Sequence, residues 1–175
     1  ADVVGSRSLL NEVEFIQLYD KVFSELKIPT VIKLNNRKVL SGIAEIIGAE
    51  DKLIDMTVAI DKLDKIGLDL VKEEMLQKGI PAIAIAKIEP ILIMEGDAVK
   101  KILTMRSVLA DSVIGIEGVN EVQTVINKVL NIGLETADID FDLTLARGLN
   151  YYTGSIFEVE AKGVKMGSIG GGGRY

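Results

Sequence analysis

Residues 138–145 alternate strictly between polar and apolar side chains, in the order Asp-Ile-Asp-Phe-Asp-Leu-Thr-Leu. A period of two is that of a β-strand with one buried face and one wet face, as antiparallel sheets permit. Residues 30–35 and 155–162 also predict strands, and we expect a further one at 164–169. Both ends of the chain therefore contribute to a sheet.

The rest of the chain has a helical period, with apolar residues repeating at three and four positions. Residues 9–26 predict an amphipathic helix that ends before Pro29, and residues 80–96 are ambiguous between helix and irregular structure. The fold class is therefore α+β, an antiparallel sheet interrupted by a helical insertion, divided into 1–36, 37–135 and 136–175. Within the insertion, helices are predicted at 39–47, 51–63, 70–78, 98–109 and around 119–130.

The amino-acid composition of the chain excludes several classes of function. The chain has 175 residues, a net charge of −6 and neither cysteine nor histidine. None of the three segments is basic, so a strong electrostatic footprint for nucleic acid is excluded. Disulfides, zinc clusters, thiol nucleophiles and Ser-His-Asp triads are excluded as well. The most apolar stretch, 80–94, is interrupted by prolines and charges, so we expect no membrane association, and the lack of cysteine fits a cytoplasmic protein.

The two ends of the sequence are abrupt. The chain opens on Ala1 and stops at Tyr175, directly after a run of glycines. We therefore expect an interior portion of a longer protein.

Residues 147–154, Arg-Gly-Leu-Asn-Tyr-Tyr-Thr-Gly, combine chemistry suited to a polar ligand. An arginine forks onto a carboxylate or phosphate, a tyrosine hydroxyl donates or accepts, and glycines let backbone approach a ligand. A hairpin turn with a structural arginine is the alternative. Residue types alone leave the two interpretations open.

Two other features are weaker. The glycines at 170–173, followed by Arg174 and Tyr175, lack the spacing of a phosphate-binding loop. Asp138, Asp140 and Asp142 suggest a metal, but an EF-hand would need Gly and Glu where the chain has Leu143 and Leu149. We predict a flexible loop for the first feature alone, the wet face of a strand for the second, and no metal site.

Several segments together resemble the histidyl-tRNA synthetases, a family of class II aminoacyl-tRNA synthetases. Residues 145–158 resemble the family's histidine-specific motif, and 170–175 its following glycine-rich strand. Residues 1–14 resemble the tail of class motif 2 and its helix, and 33–40 and 58–65 are similar to the eukaryotic-like branch. The resemblance covers essentially the whole chain and implies part of a class II catalytic domain, with an antiparallel sheet and a flanking helix.

The resemblance also implies a histidine site. Asp2 matches the acidic residue that accepts an imidazole N–H, Tyr152 the tyrosine on the other side of the ring, and Tyr151 a neighbour in the pocket. Arg147 matches the catalytic arginine near the histidine carboxylate and the ATP α-phosphate. Gly171 and Tyr175 match further lining positions. We expect these side chains to gather around one concavity.

The activity implied is a ligase reaction: histidine and ATP give histidyl-adenylate, and histidine is then transferred to tRNA(His). The expected partners are histidine, ATP with Mg²⁺, tRNA(His) and a second subunit in a cytoplasmic homodimer, although the ATP and Mg²⁺ ligands are not identifiable. Class motif 1, the first part of motif 2, motif 3 and the anticodon-binding domain are absent. We therefore expect the isolated chain to form no histidyl-adenylate.

Two other functions compete with this one. The synthetase-like regulatory subunit of histidine biosynthesis shares the catalytic fold, but it is not expected to keep the Arg-Gly-x-x-Tyr-Tyr signature. A non-catalytic interaction module would use the helical insertion as its binding surface. Histidine binding distinguishes the synthetase from both.

Overall fold

The computed structural model describes residues 1–147 and 151–175, which form one mixed sheet and a set of packed helices. The strands are β1 (Thr30–Asn36), β2 (Asp138–Phe141), β3 (Ser155–Ala161) and β4 (Gly170–Gly173). The α-helices are α1 (Leu10–Glu25), α2 (Arg37–Ile47), α3 (Leu53–Ile60), α4 (Leu63–Ile66), α5 (Leu68–Gln77), α6 (Ala82–Leu92), α7 (Ala98–Val108) and α8 (Val113–Ile132), with a 3-10 turn at Glu50–Lys52.

The sheet has the strand order β2-β1-β3-β4. The β1–β3 and β3–β4 pairs are antiparallel, whereas β2 runs parallel to β1. The predicted α+β class is confirmed, and the sheet is antiparallel as expected except at β2, which pairs with β1 in parallel. A parallel neighbour requires a long crossover, and helices α2 to α8 provide it.

Helix prediction succeeded where the sequence carries end signals. Asp97 accepts a hydrogen bond from the Lys100 N–H at the start of α7, and Gly48 ends α2 with φ at 71°. The prediction of a single helix at 51–63 is wrong. Helix α3 ends at Ile60, because the Lys62 N–H donates to the Ala59 carbonyl and the backbone forms a tighter turn there. The ambiguous region 80–96 contains α6.

Two strand boundaries differ from prediction. Strand β2 stops at Phe141, because the Asp142 carboxylate accepts from both the N–H and the hydroxyl of Thr144 and turns the chain. The strand expected at 164–169 is wrong, and β4 is formed by the glycines that follow it. A Cβ on Gly172 would lie 2.8 Å from the Phe157 ring, so glycine allows β4 to pack this closely on β3.

The helices and the sheet share one hydrophobic core. Helix α8 packs against α1, α2 and β1, and buries Val119, Val122, Val125, Ile126 and Val129. No helix within 1–147 or 151–175 has the length and apolar character to cross a membrane. The division into three segments stays a prediction.

Candidate functional site

A cavity of about 750 Å³ lies between the N-terminal segment, α1 and the outer strand β4. It brings together residues that are distant in the sequence. Of the six site residues expected from the sequence, five line it: Asp2, Tyr151, Tyr152, Gly171 and Tyr175.

The first and last parts of the chain meet at this cavity. The Tyr175 hydroxyl donates a hydrogen bond of 2.7 Å to Oδ1 of Asp2. This hydrogen bond raises the pKa of Tyr175 above its ordinary value, since ionised tyrosine would lose the donated proton. Tyr175 thereby orients the Asp2 carboxylate, whose other oxygen is an acceptor for a ligand N–H.

The tyrosine pair forms another wall. The rings of Tyr151 and Tyr152 meet edge to face with centroids 4.3 Å apart. Tyr151 is exposed, whereas Tyr152 is half-buried. Burial, with the neighbouring Tyr151 phenol, raises the pKa of Tyr152 to about 12. The Tyr152 phenol therefore keeps its proton at neutral pH and is available as a hydrogen-bond donor.

Helix α1 forms the floor of the cavity. Phe15 and Tyr19 pack on Phe157 of β3, with ring centroids 6.2 Å and 5.9 Å away respectively. The Tyr19 hydroxyl donates to the Gly171 carbonyl at 2.9 Å. These contacts hold the outer strand against the helix and place Gly171 at the cavity wall.

An ion pair in the cavity wall was missed in the sequence. Glu12 of α1 is buried and accepts two hydrogen bonds of 2.6 Å from the Arg174 guanidinium. Residues of this charge are seldom buried unless paired, and 162 positions separate these two. The available signal was Arg174 itself, the one cation beside the glycine run.

Arg147 does not line the cavity, which corrects the expectation that it joins Asp2 and the tyrosines. Its Nε lies 2.9 Å from Glu158 and 3.7 Å from Asp61. Glu158 and Phe157 are consecutive in β3 and point to opposite faces of the sheet, so Glu158 holds Arg147 on the face away from α1.

This opposite face has a smaller cavity of about 240 Å³, lined by Arg147, Glu158 and Lys33 among others. Burial raises the pKa of Glu158, although the nearby Arg147 charge acts in the other direction. The remaining motif residues Gly148, Leu149 and Asn150 lie outside the described residues.

The three aspartates that suggested a metal are each beside a lysine. Lys162 lies 2.6 Å from Asp138, Lys101 2.8 Å from Asp140 and Lys33 3.2 Å from Asp142. The wet-face prediction holds for Asp138, which is 72% exposed, but is wrong for Asp142, which is 13% exposed. In the described part of the chain, no three candidate ligands are grouped as a metal site requires.

The family model described as "Histidyl-tRNA synthetase" matches residues 1–175. The chain belongs to the histidyl-tRNA synthetase family. It is 58% identical over 175 residues to the histidine–tRNA ligase of Bacteroides fragilis and spans 38% of that relative's length. The resemblance inferred from the sequence is therefore confirmed, and the match covers about two-fifths of such a relative.

Solved structures agree with this membership. A histidyl-tRNA synthetase from Nostoc superposes on 97% of this chain and 41% of its own, with a TM-score of 0.90 and 34% identity. A protein from Bacillus halodurans described as an ATP phosphoribosyltransferase regulatory subunit/histidyl-tRNA synthetase superposes on 98% of this chain and 44% of its own, with a TM-score of 0.80 and 17% identity. The second likeness concerns the fold alone.

Proposed function

We propose that this chain is part of an enzyme that activates histidine with ATP and transfers it to tRNA(His), and that the cavity between the N-terminal segment, α1 and β4 binds the histidine. The observation that carries the proposal is convergence. Asp2, Tyr151, Tyr152, Gly171 and Tyr175 line one cavity although they come from both ends of the chain. The family membership supplies the ligand.

Selectivity would arise from the two nitrogens of the imidazole ring. Asp2, oriented by Tyr175, accepts one N–H, while the protonated Tyr152 hydroxyl donates to the other nitrogen. A side chain without a matching donor and acceptor would leave these groups unpaired. Sites built around such hydrogen bonds reject analogues that lack them by about 10⁴-fold or more.

The reaction needs no side-chain nucleophile. A histidine carboxylate oxygen attacks the α-phosphorus of ATP, the bond from phosphorus to the bridging oxygen breaks, and pyrophosphate leaves. A ribose hydroxyl at the end of tRNA(His) then attacks the histidyl carbonyl carbon, the bond from that carbon to the phosphate oxygen breaks, and AMP leaves. Arg147 would stabilise the negative charge around phosphorus. Because its side chain pairs with Glu158 and faces away from the cavity, it would first have to leave Glu158 and pair with the substrate anion.

Mg²⁺ is expected with ATP, but its ligands are not identifiable among the described residues. Asp138, Asp140 and Asp142 each pair with a lysine, and the described ranges contain no group of three candidate ligands. We therefore assign Mg²⁺ to no residue here and assign no step to it.

The proposal also includes a cytoplasmic homodimer and the division of the chain at residues 37 and 136.

The test compares two ligands in the full-length protein. We expect Tyr152→Phe to weaken histidine binding by about tenfold, because one hydrogen bond to the imidazole is lost, and to leave ATP binding within about twofold. Calorimetric titration of each ligand measures both effects, and ATP is the internal control. Equal weakening of both ligands would contradict the role of Tyr152.

A further inference from the structure

The ion pair of Glu12 and Arg174 has the geometry of a rigid clamp. Arg174 Nε contacts Oε1 of Glu12, and Nη2 contacts Oε2, both at 2.6 Å. The side chains are only 5% and 22% exposed. A two-point contact between guanidinium and carboxylate fixes orientation as well as distance. Because the pair is largely buried, water screens it little.

Arg174 also connects the parts of the chain that carry the cavity residues. Its Nη2 donates to the Ser8 carbonyl at 2.9 Å, which ties it to the start of α1. Its backbone N–H donates to Ser155 at 2.8 Å, and its carbonyl accepts from the Thr153 N–H at 2.7 Å. Arg174 is thus bonded to α1, to the start of β3 and to the residue after the tyrosine pair.

These bonds place the two tyrosines by direct chain connection. Tyr152 precedes Thr153, and Tyr175 follows Arg174. Tyr175 in turn orients Asp2 through its hydroxyl. A displacement of Arg174 would therefore move Tyr152, Tyr175 and the Asp2 contact together.

We propose that Glu12 and Arg174 are positioning residues of the histidine site, which keep Tyr152 and Asp2 at the spacing that an imidazole ring requires. The inference rests on the proposed function. The pair acts through Tyr152 and Tyr175 and does not need to contact histidine. Loss of the pair should therefore affect histidine much more than ATP.

The experiment measures histidine-dependent exchange between ATP and pyrophosphate by the full-length protein. Glu12→Gln removes the charge but keeps the volume, and Arg174→Lys keeps the charge but loses the two-point contact. We expect each to raise the KM for histidine by about tenfold, because small displacements of positioning groups are costly. The KM for ATP should stay within about twofold.

Asp20 offers a matched control on the same helix. Its carboxylate is buried like that of Glu12, but it accepts from the backbone N–H groups of Glu135, Thr136 and Ala137, outside the cavity. Asp20→Asn should lower the melting temperature and leave both KM values unchanged. A purely structural role for Glu12 would make Glu12→Gln behave in the same way.

The outcomes separate the two proposals. If the wild type shows histidine-dependent exchange and the variants at Glu12 and Arg174 keep its KM for histidine, or raise both KM values equally, the positioning role is wrong. If Glu12→Gln fails to fold, Arg174→Lys decides between the same outcomes. If the wild type shows no histidine-dependent exchange, the proposed function fails and this inference with it.

Discussion

Tyr152 lines the cavity, and its pKa depends on its burial there. Burial and the contact with Tyr151 raise its pKa from 10.0 to about 12, so the folded chain holds the phenol proton more tightly than the unfolded chain. The resulting stability is complete below pH 10 and is lost as the pH rises to about 12. Tyr152 thus makes the fold sensitive to alkali.

We therefore predict that the free energy of unfolding falls less steeply between pH 10 and about 12 in Tyr152→Phe than in the wild type. Urea unfolding at several pH values measures the slopes. Tyr175 is present in both proteins, so its own raised pKa cancels in the comparison. Identical slopes would show that the environment of Tyr152 does not hold the proton.

Asp142 has the opposite effect, in acid. Burial acts to raise its pKa, but the hydrogen bonds from Thr144 and the Lys33 charge outweigh burial, and the pKa lies below 3.8. Asp142 therefore contributes stability above pH 3.8 that is lost as the pH falls further. Asp142→Asn should lower the free energy of unfolding at neutral pH. In this variant the free energy of unfolding should also fall less steeply as the pH drops into the acid range.

Unfolding curves at neutral and acidic pH measure this effect. Asp138→Asn is the matched control on the same acidic segment, since Asp138 is exposed and surface ion pairs contribute little. A control that matched Asp142→Asn at every pH would contradict the account of Asp142.

At the scale of elements, the crossing of α2 and α8 depends on glycine. A Cβ on Gly118 would lie 2.6 Å from the backbone nitrogen of Val39, so the helices would have to separate. We predict that Gly118→Ala lowers the free energy of unfolding by about 1–3 kcal/mol. Gly167→Ala, which meets nothing within 4 Å, should change it little. Chemical unfolding measures the change in the free energy of unfolding for both variants. Equal changes in the two variants would contradict close packing where α2 and α8 cross.

Secondary structure was predicted well from the sequence where neighbouring residues determine it. Asp97 and Gly48 mark helix ends by side-chain capping and by left-handed backbone, and both signals are visible in a few residues. Periodicity missed strand β4, because glycine carries no hydrophobic pattern, whereas the family resemblance predicted a glycine-rich strand at 170–175. In the structure, β4 packs closely on Phe157 and Tyr19. Glu12 and Asp20 were not expected in the interior, because their partners lie more than 100 positions away.

At the scale of the whole molecule, five of the six site residues that the family resemblance predicted line one cavity. Arg147 was the exception. Similarity to a family motif predicts the role of a residue, but it does not predict on which face of the sheet the side chain lies. The pairing of Arg147 with Glu158 depends on the alternation of β3, and the sequence alone did not link the two residues.

The 175-residue chain alone should catalyse no histidine-dependent exchange between ATP and pyrophosphate. It spans 38% of the length of its Bacteroides fragilis relative, and class motif 1, the first part of motif 2 and motif 3 were not found in it. Isotope exchange with the purified chain measures this, with the full-length protein as the positive control. Exchange above background by the chain alone would contradict the prediction.

The central claim is that Asp2 and Tyr152 recognise the two nitrogens of an imidazole ring, and methylated histidines test it most directly. Calorimetric titration of the full-length protein should show binding of histidine. Methylation of either ring nitrogen should weaken binding by about 100-fold or more, because a buried polar group then loses its partner. Absence of histidine binding, or equal affinity for histidine and both methylated forms, would contradict the account.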